Sequence, residues 1–249
     1  MVEIFLSVVI PAYNEETRIS ATLQQVIRYL EGRSYSWEVL VADDGSSDGT
    51  ADLVTAVAAE QPNLRLMNLS HKGKGWAVKN AMLAAIGEQR VLCDADLSVP
   101  IEQVERLLPP QTQGVDIALG SRAVEGAQRI GEPPRRHLMG RIYNALVRTI
   151  AISGIQDTQC GFKCFRGEVA QDLFQRLTMD GFAFDVEVLF LARKDGLTLR
   201  EIPVDWYYRE NSKVRTVRDS LSMTIDLLRI RWRNLRGRYR RGDHGSGLG

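Results

Sequence analysis

The sequence predicts an α/β fold in which a mostly parallel, Rossmann-like central sheet carries helices on both faces. Two observations predict it. Short β-branched runs alternate with helical stretches through the first half of the chain. Every motif with chemical character in that half lies at the carboxyl end of such a run, where open parallel sheets gather their ligands.

The first run, Ser7 to Ile10, is ended by Pro11, and the second, Trp37 to Ala42, by Asp43. Both are short, continuous apolar segments, the pattern of parallel strands buried on two faces. Arg90 to Cys93 and Ile117 to Leu119 have the same character, and Leu64 to Asn68 is a further strand. Between them the periodicity predicts helices over Glu16 to Leu30, Thr50 to Glu60, Gly75 to Ile86 and Ile101 to Leu108. A helix between successive strands returns the chain for a right-handed parallel crossover. Residues 123–136 combine Gly, Pro and Arg with little periodicity, which predicts a mobile surface loop placed to act as a lid.

The 249 residues suffice for one large α/β domain with a sizeable core. No run of about 18 apolar residues occurs, and no basic-then-apolar leader opens the chain. The expected location is therefore cytoplasmic, with peripheral attachment to a membrane at most. Cys93, Cys160 and Cys164 lack His or a second Cys pair at zinc spacing, which predicts free buried thiols. Formal net charge is +1, yet from Lys213 onward ten Lys/Arg stand against three Asp/Glu. Two units follow: a main α/β domain over 1–212 and a basic amphipathic helix with a disordered end over 213–249.

Asp94 and Asp96 stand two apart just past a strand, where extended backbone would turn both carboxylates the same way. Such a pair repels unless a cation sits between, and Mg or Mn suits it because a hard ion keeps positions open for a diphosphate. The alternative is two solvated acids capping the next helix. Asp43 and Asp44 end another strand, followed by Gly45 and a Ser-Ser-Asp-Gly-Thr turn. An acid there hydrogen-bonds a nucleobase or ribose, or else merely forms a turn and cap. Lys72, Gly73, Lys74 and Gly75 make a basic loop before a helix, a diphosphate cradle or an ordinary helix entry, and Arg122 is a second phosphate candidate.

Taken together, Val-Val-Ile-Pro-Ala-Tyr-Asn-Glu (8–15), Asp-Asp-Gly-Ser-Ser-Asp-Gly-Thr (43–50), Gly-Lys-Gly (73–75), Asp-Ala-Asp-Leu-Ser (94–98) and Gly-Ser-Arg (120–122) resemble glycosyltransferase family 2, with its GT-A fold. Four later stretches are similar to its dolichyl-phosphate β-glucosyltransferase branch: Asp-Thr-Gln-Cys-Gly-Phe-Lys (157–163), Phe-Ala-Phe-Asp-Val-Glu (182–187), Glu-Ile-Pro-Val-Asp-Trp (201–206) and Arg-Glu-Asn-Ser-Lys-Val (209–214). The resemblance implies an inverting hexosyltransferase that loads glucose from UDP-glucose onto a polyprenyl phosphate at the cytosolic membrane face. It also implies that Pro11, Tyr13, Glu15 and Asp43 or Asp44 hold the nucleoside, while Asp94 and Asp96 hold the metal. Where the mannose-transferring branch commonly has Gln, this chain has Ser98, which favours a glucose-type donor.

Inverting transfer needs the departing diphosphate neutralised and a nucleophile on the opposite face. A phosphate acceptor, with its second pKa near ~6, is already ionised and needs no strong base. Asp157, at the head of its motif, is the acidic residue expected nearest the reacting centre, as base or orienter; Asp185 and Glu187 come after it for the same role, or else merely lie on the polar side of an amphipathic helix. Lys163, Arg209 and Lys213 are the cations expected at the acceptor or donor phosphates.

In the tail, Leu221, Ile225, Leu228, Trp232, Leu235 and Tyr239 recur at three- and four-residue steps, with Arg229, Arg233, Arg236 and Arg240 on other faces. Such a helix lies at an anionic membrane surface, or packs on the catalytic domain or on a second copy in a homo-oligomer. Three alternatives remain: a soluble acceptor or GDP-mannose donor on the same fold, a nucleotidyltransferase, and an Arg-tailed nucleic-acid binder. The last leaves the strand-end motifs unexplained, so no nucleic-acid partner is expected.

Overall fold

The computed structural model describes residues 3–209 and 216–239, with side chains except at 135, 136, 143 and 216–224. The first half runs β1 (Leu6–Ala12), α1 (Ile19–Glu31), β2 (Trp37–Asp43), α2 (Thr50–Glu60), β3 (Leu64–Asn68), α3 (Lys74–Ala84), β4 (Gln89–Cys93) and a 3-10 helix (Ile101–Leu107). The second half runs β5 (Ile117–Ser121), β6 (Gln128–Ile130), α4 (Pro134–Ile150), β7 (Phe162–Arg166), α5 (Gly167–Arg176), α6 (Phe184–Lys194), β8 (Leu199–Pro203), β9 (Asp205–Tyr207) and α7 (Thr216–Leu235).

The main sheet has the order β3-β2-β1-β4-β7-β5-β8. Its first four strands pair in parallel, β7 runs antiparallel to both neighbours, and β5 pairs in parallel with β8. Side chains alternate across this sheet into two cores. Val8, Ile10, Val39, Val41 and Val91 pack under α1 and the 3-10 helix, with Leu23, Val26 and Ile101. Val9, Leu40 and Leu92 pack on the opposite face with Ala77, Val78, Leu173, Phe174 and Leu189 of α3, α5 and α6. The mostly parallel sheet with helices on both faces is thus present, and the five expected strands all form, as β1 to β5.

Several boundaries differ for local reasons. Strand β1 continues through Pro11 because its ladder with β4 stops at Val9↔Leu92, while pairing with β2 continues to Ala12↔Asp43. Proline therefore sits where no β4 carbonyl awaits a donor. Helix α1 begins three residues later than expected. Glu15 and Glu16 instead donate backbone N–H groups to Thr50 Oγ1 (2.7 Å) and Asp48 Oδ2 (3.2 Å). Residues 101–107 wind as a 3-10 helix between Pro100 and Pro109, too short a span for a stable α-helix. The expected loop over 123–136 is partly ordered instead: Gln128–Ile130 pairs in parallel with Asp205–Tyr207, and α4 opens at Pro134.

Helix α7 packs on α4 and α6, burying Leu227 and Ile230. Its exposed stripe is Ile225, Leu228, Trp232 and Leu235, four of the residues picked out by periodicity; the side chain of Leu221 lies outside the described ones. Tyr239 does not belong to that stripe. It lies beyond the helix end, fully buried, with its hydroxyl on Glu187 and its ring 6.2 Å from Phe190. No described helix is long and apolar enough to cross a membrane.

Candidate active site

The carboxyl ends of β1, β2 and β4 bring the motifs together. At β2, both acids are buried and already engaged. Asp43 accepts from the Ser46 backbone N–H (3.0 Å) and from the Ser46 hydroxyl. Asp44 accepts from the backbone N–H groups of Lys72 (3.0 Å) and Gly73 (2.9 Å), and lies 2.8 Å from His71 Nδ1. Asp44 therefore locks the basic loop onto the sheet. The half-buried Tyr13, beyond β1, stacks on the His71 ring at 4.2 Å between centroids. Pro11 is buried in the same strand end, and Glu15 pairs with Arg18 at 2.8 Å.

The locked loop delivers Lys74 to β4, where its Nζ lies 2.6 Å from Asp94 Oδ1. Burial would lower the Lys74 pKa, but the charges of Asp94, Asp185 and Asp96 outweigh it and raise the ammonium above its ordinary value. The 94–98 segment is a tight turn, not extended backbone: Leu97 N–H donates to Asp94 O (3.1 Å), and Leu97 has φ of 46°. The Thr22 hydroxyl holds this turn by donating to Ala95 O at 2.6 Å, and Ser98 N–H donates to Asp96 Oδ1 at 2.8 Å. Both aspartates stay half-exposed. Asp94 is also pressed on Gly161, where a Cβ would stand 2.0 Å from its Oδ2, so only glycine fits.

These residues fit a divalent ion. Asp94 already receives a cation in the form of the Lys74 ammonium, and both carboxylates are partly exposed hard oxygen donors of the kind such an ion takes. Among the described residues, no group of three or more His, Cys, Asp or Glu is gathered as a ligand set. All three cysteines are free and buried, and burial pushes the Cys160 and Cys164 thiols up to about 12.

Asp157 and Arg122 form a second unit beside the first. Asp157 is fully buried and accepts from Arg122 Nε (2.7 Å), Nη2 (2.9 Å) and backbone N–H (3.0 Å). Burial would raise its pKa, but Arg122's charge and hydrogen bonds hold the carboxyl well below the usual carboxylate range. An enclosed carboxylate that already accepts three hydrogen bonds from Arg122 is poorly placed to take up a proton, so of the two expected roles this geometry suits the orienter better than the base. Two of the three Arg122 guanidinium nitrogens face Asp157, which makes this cation a bracket first and a phosphate contact second.

Lys163 departs from expectation. It is fully buried, with Nζ 2.6 Å from both Asp185 Oδ1 and Cys160 O, so it props the cleft from beneath and does not face a phosphate. Burial pushes the Asp185 carboxyl up against the opposing charges of Lys163 and Lys74. Helix α6 is buried along nearly its whole length, so Asp185 and Glu187 are not on a solvated polar face. Glu187 instead binds the backbone N–H groups of Thr178 (2.9 Å) and Met179 (2.8 Å) and the Tyr239 hydroxyl. Arg209 is exposed past β9, and Lys213 lies outside the described residues.

Two contributors escaped the sequence. Glu201 accepts from Ser121 Oγ (2.8 Å) and from the backbone N–H groups of Gln156 (2.8 Å) and Asp157 (2.9 Å), fixing the segment that carries Asp157. His71 is the stacking partner of Tyr13. Glu201 heads a motif already noted and His71 immediately precedes Lys72, so proximity to motifs was the available signal.

The Glycosyl transferase family 2 model matches residues 7–174. The chain is 36% identical over 248 residues to the dolichyl-phosphate beta-glucosyltransferase of Dictyostelium discoideum, covering 94% of this chain and 76% of that one. Against the Homo sapiens enzyme of the same name it is 36% identical over 250 residues, covering 94% and 77%. Among solved structures, glucosyl-3-phosphoglycerate synthase from Mycobacterium tuberculosis in complex with Mn2+, UDP-glucose and phosphoglyceric acid superposes with a TM-score of 0.66 at 19% identity, covering 98% of this chain and 83% of that one. That likeness supports the GT-A fold. With strand-end acids, a locked basic loop and a matching family model in one cleft, the chain belongs to glycosyl transferase family 2 and is a glycosyltransferase.

Proposed function

We propose that this glycosyltransferase moves glucose from UDP-glucose onto a dolichyl or other polyprenyl phosphate, with inversion, at the cytosolic face of a membrane. The observation that carries it is the Asp94–Asp96 turn facing Lys74 in the cleft, in a chain 36% identical to dolichyl-phosphate glucosyltransferases over nearly its whole length. Tyr13 and His71 offer a stacked aromatic edge to a nucleobase, with Pro11, Glu15 and the Asp43 and Asp44 turns framing it. Asp94 and Asp96 would hold one Mg or Mn ion, which would supply positive charge to the departing diphosphate. Lys74 adds a second positive charge there.

The bracketed Asp157–Arg122 pair fixes the wall of the cleft, orienting the acceptor phosphate without taking its proton. Arg209 stands exposed just past β9, and it would meet that phosphate together with Lys213, four residues on in the sequence. Residues 1–212 form the catalytic unit in this scheme. The 213–249 segment attaches it peripherally to lipid through the exposed Ile225, Leu228, Trp232 and Leu235 stripe of α7.

The test incubates the protein with radiolabelled UDP- and GDP-sugars, polyprenyl phosphate and Mn or Mg. Label from UDP-glucose should enter the organic phase, and Asp96→Ala should abolish this while circular dichroism and Tm stay those of the parent. Label that moves only from GDP-mannose, or only onto water-soluble acceptors, refutes the assignment. Full activity in the Asp96 variant removes the metal site.

A further inference from the structure

We infer that a pocket between α4, α6 and α7 binds a phosphate-bearing anion, and that its source is the headgroup of an anionic lipid. The cavity measures about 510 Å³, and Arg148, Arg193, Lys194 and Arg231 line it together with Ser153 and Phe190, without a carboxylate. None of the four cations pairs with an acid among the described residues. Arg231 Nε donates to Ile150 O at 2.6 Å, and Lys194 Nζ donates to Asn234 Oδ1 at 2.7 Å. The acids nearest in sequence are committed elsewhere: Asp195 to Arg176, and Asp226 to Arg229 at 2.8 Å.

Four cationic residues around one concave site, with no carboxylate in its lining, repel one another and focus a field that favours an anion. The backbone is shaped for this. Gly154 has φ of +80°, and a Cβ there would stand 3.1 Å from Arg193 Nη2, so glycine lets the guanidinium lie along the pocket wall. Guanidinium groups bind phosphate oxygens in pairs of parallel hydrogen bonds, as they do carboxylates, and a phosphate, with more oxygens and more charge than a carboxylate, can engage several of these cations at once.

The pocket is separate from the transfer site. Helix α6 carries Asp185 in its first turn and Lys194 at its last residue, so about 13 Å of helix axis separates the two. A lipid source is favoured over a dissolved phosphate by what flanks Arg231 on its own helix. Leu228 is 57% exposed, Trp232 50% and Leu235 84%, within one turn of it on either side. A cation between exposed Trp and Leu side chains suits a bilayer surface, where acyl chains take the apolar groups and the headgroup takes the charge.

The test is flotation of the full chain with vesicles of phosphatidylcholine, with or without phosphatidic acid. A parallel calorimetric titration uses inorganic phosphate alone. Arg148→Gln combined with Arg193→Gln removes two exposed cations that make no contact with the fold's hydrogen-bond network. A control, Arg28→Gln on α1 with Arg33→Gln just past its end, removes the same charge far from the pocket's elements. The parent should bind the acidic vesicles more tightly than the neutral ones. The pocket variant should lose about 25-fold of that binding, from roughly fivefold per cation at an anionic surface, and the control far less.

Equal losses in pocket variant and control would reduce the effect to general charge and overturn the site. Unchanged flotation would overturn it as well. Phosphate binding lost in the pocket variant with flotation intact would overturn the lipid source, leaving a site for soluble phosphate. Transfer in detergent micelles should keep its kcat in the pocket variant, so failure of the proposed reaction and failure of this site read out separately.

Discussion

Replacing Asp157 by Asn tests whether the buried bracket orders the cleft. The carboxylate is fully enclosed and receives three donors from Arg122 and one from Gln159 N–H at 3.3 Å. Asn keeps the volume but turns an NH2 toward a guanidinium that has no use for a donor, and leaves the Arg122 charge largely buried without its counter-charge. Breaking one half of such a pair costs about 3–5 kcal/mol. For a chain of this size that lowers Tm by roughly 6–20 °C. The depressed Asp157 pKa means the folded state binds fewer protons than the unfolded one. Its contribution is therefore present above the unfolded value of about 4 and is lost as pH falls toward the folded one. Scanning calorimetry at neutral and acidic pH should show the parent–variant gap shrinking below pH of about 4. The double change Arg122→Met with Asp157→Leu should regain most of the loss, because no charge is then stranded. A gap of less than about 1 kcal/mol at neutral pH, or one that does not narrow in acid, would refute the bracket. A kcat profile whose acid limb disappears with the Asn would show a base instead.

Two further outcomes follow from the same cleft. Gly161→Ala places a methyl 2.0 Å from Asp94 Oδ2, so Asp94 must move. Transfer should fall by about 10²-fold or more, the cost of misplacing a reacting group by roughly an ångström, and parent-level activity would show that the position of Asp94 does not matter. The Cys160 and Cys164 thiols, pushed up to about 12, should resist iodoacetamide at pH 8 in the folded protein and react once urea unfolds it; rapid labelling of native protein would contradict their burial.

The sheet was legible because parallel strands buried on two faces are written as short apolar runs, and all five expected runs formed. The second half was less so. Helix α6 has no polar face to reveal its period, being buried nearly throughout, so its two acids could be read equally as groups near the reacting centre or as a solvated edge. Strands β6 and β9 are three residues each, below what alternation can signal. In the cleft, Asp94, Lys74 and Asp157 could be picked out by residue type, but which lysine stays open to the cleft was not encoded locally. Lys74 stays partly open at a helix start, whereas Lys163 lies on β7 and is sealed under α6 by a contact 22 residues away.

That division of labour among the lysines sets the charge of the cleft. Asp94, Asp96, Asp157 and Asp185 face Lys74, Arg122 and Lys163 through mutually felt charges, which leaves the cluster one negative charge when all are ionised. The buried members are matched locally, Asp157 by Arg122 and Asp185 by Lys163. The excess therefore falls on the half-exposed Asp94 and Asp96, with Lys74 as their only nearby counter-charge among the described residues. In the proposed scheme a divalent cation there would change the local balance from −1 to about +1 in formal charge, the sign that a departing diphosphate requires. Asp157 and Asp185 are buried against their own cations, so that reversal would fall on the half-exposed Asp94 and Asp96.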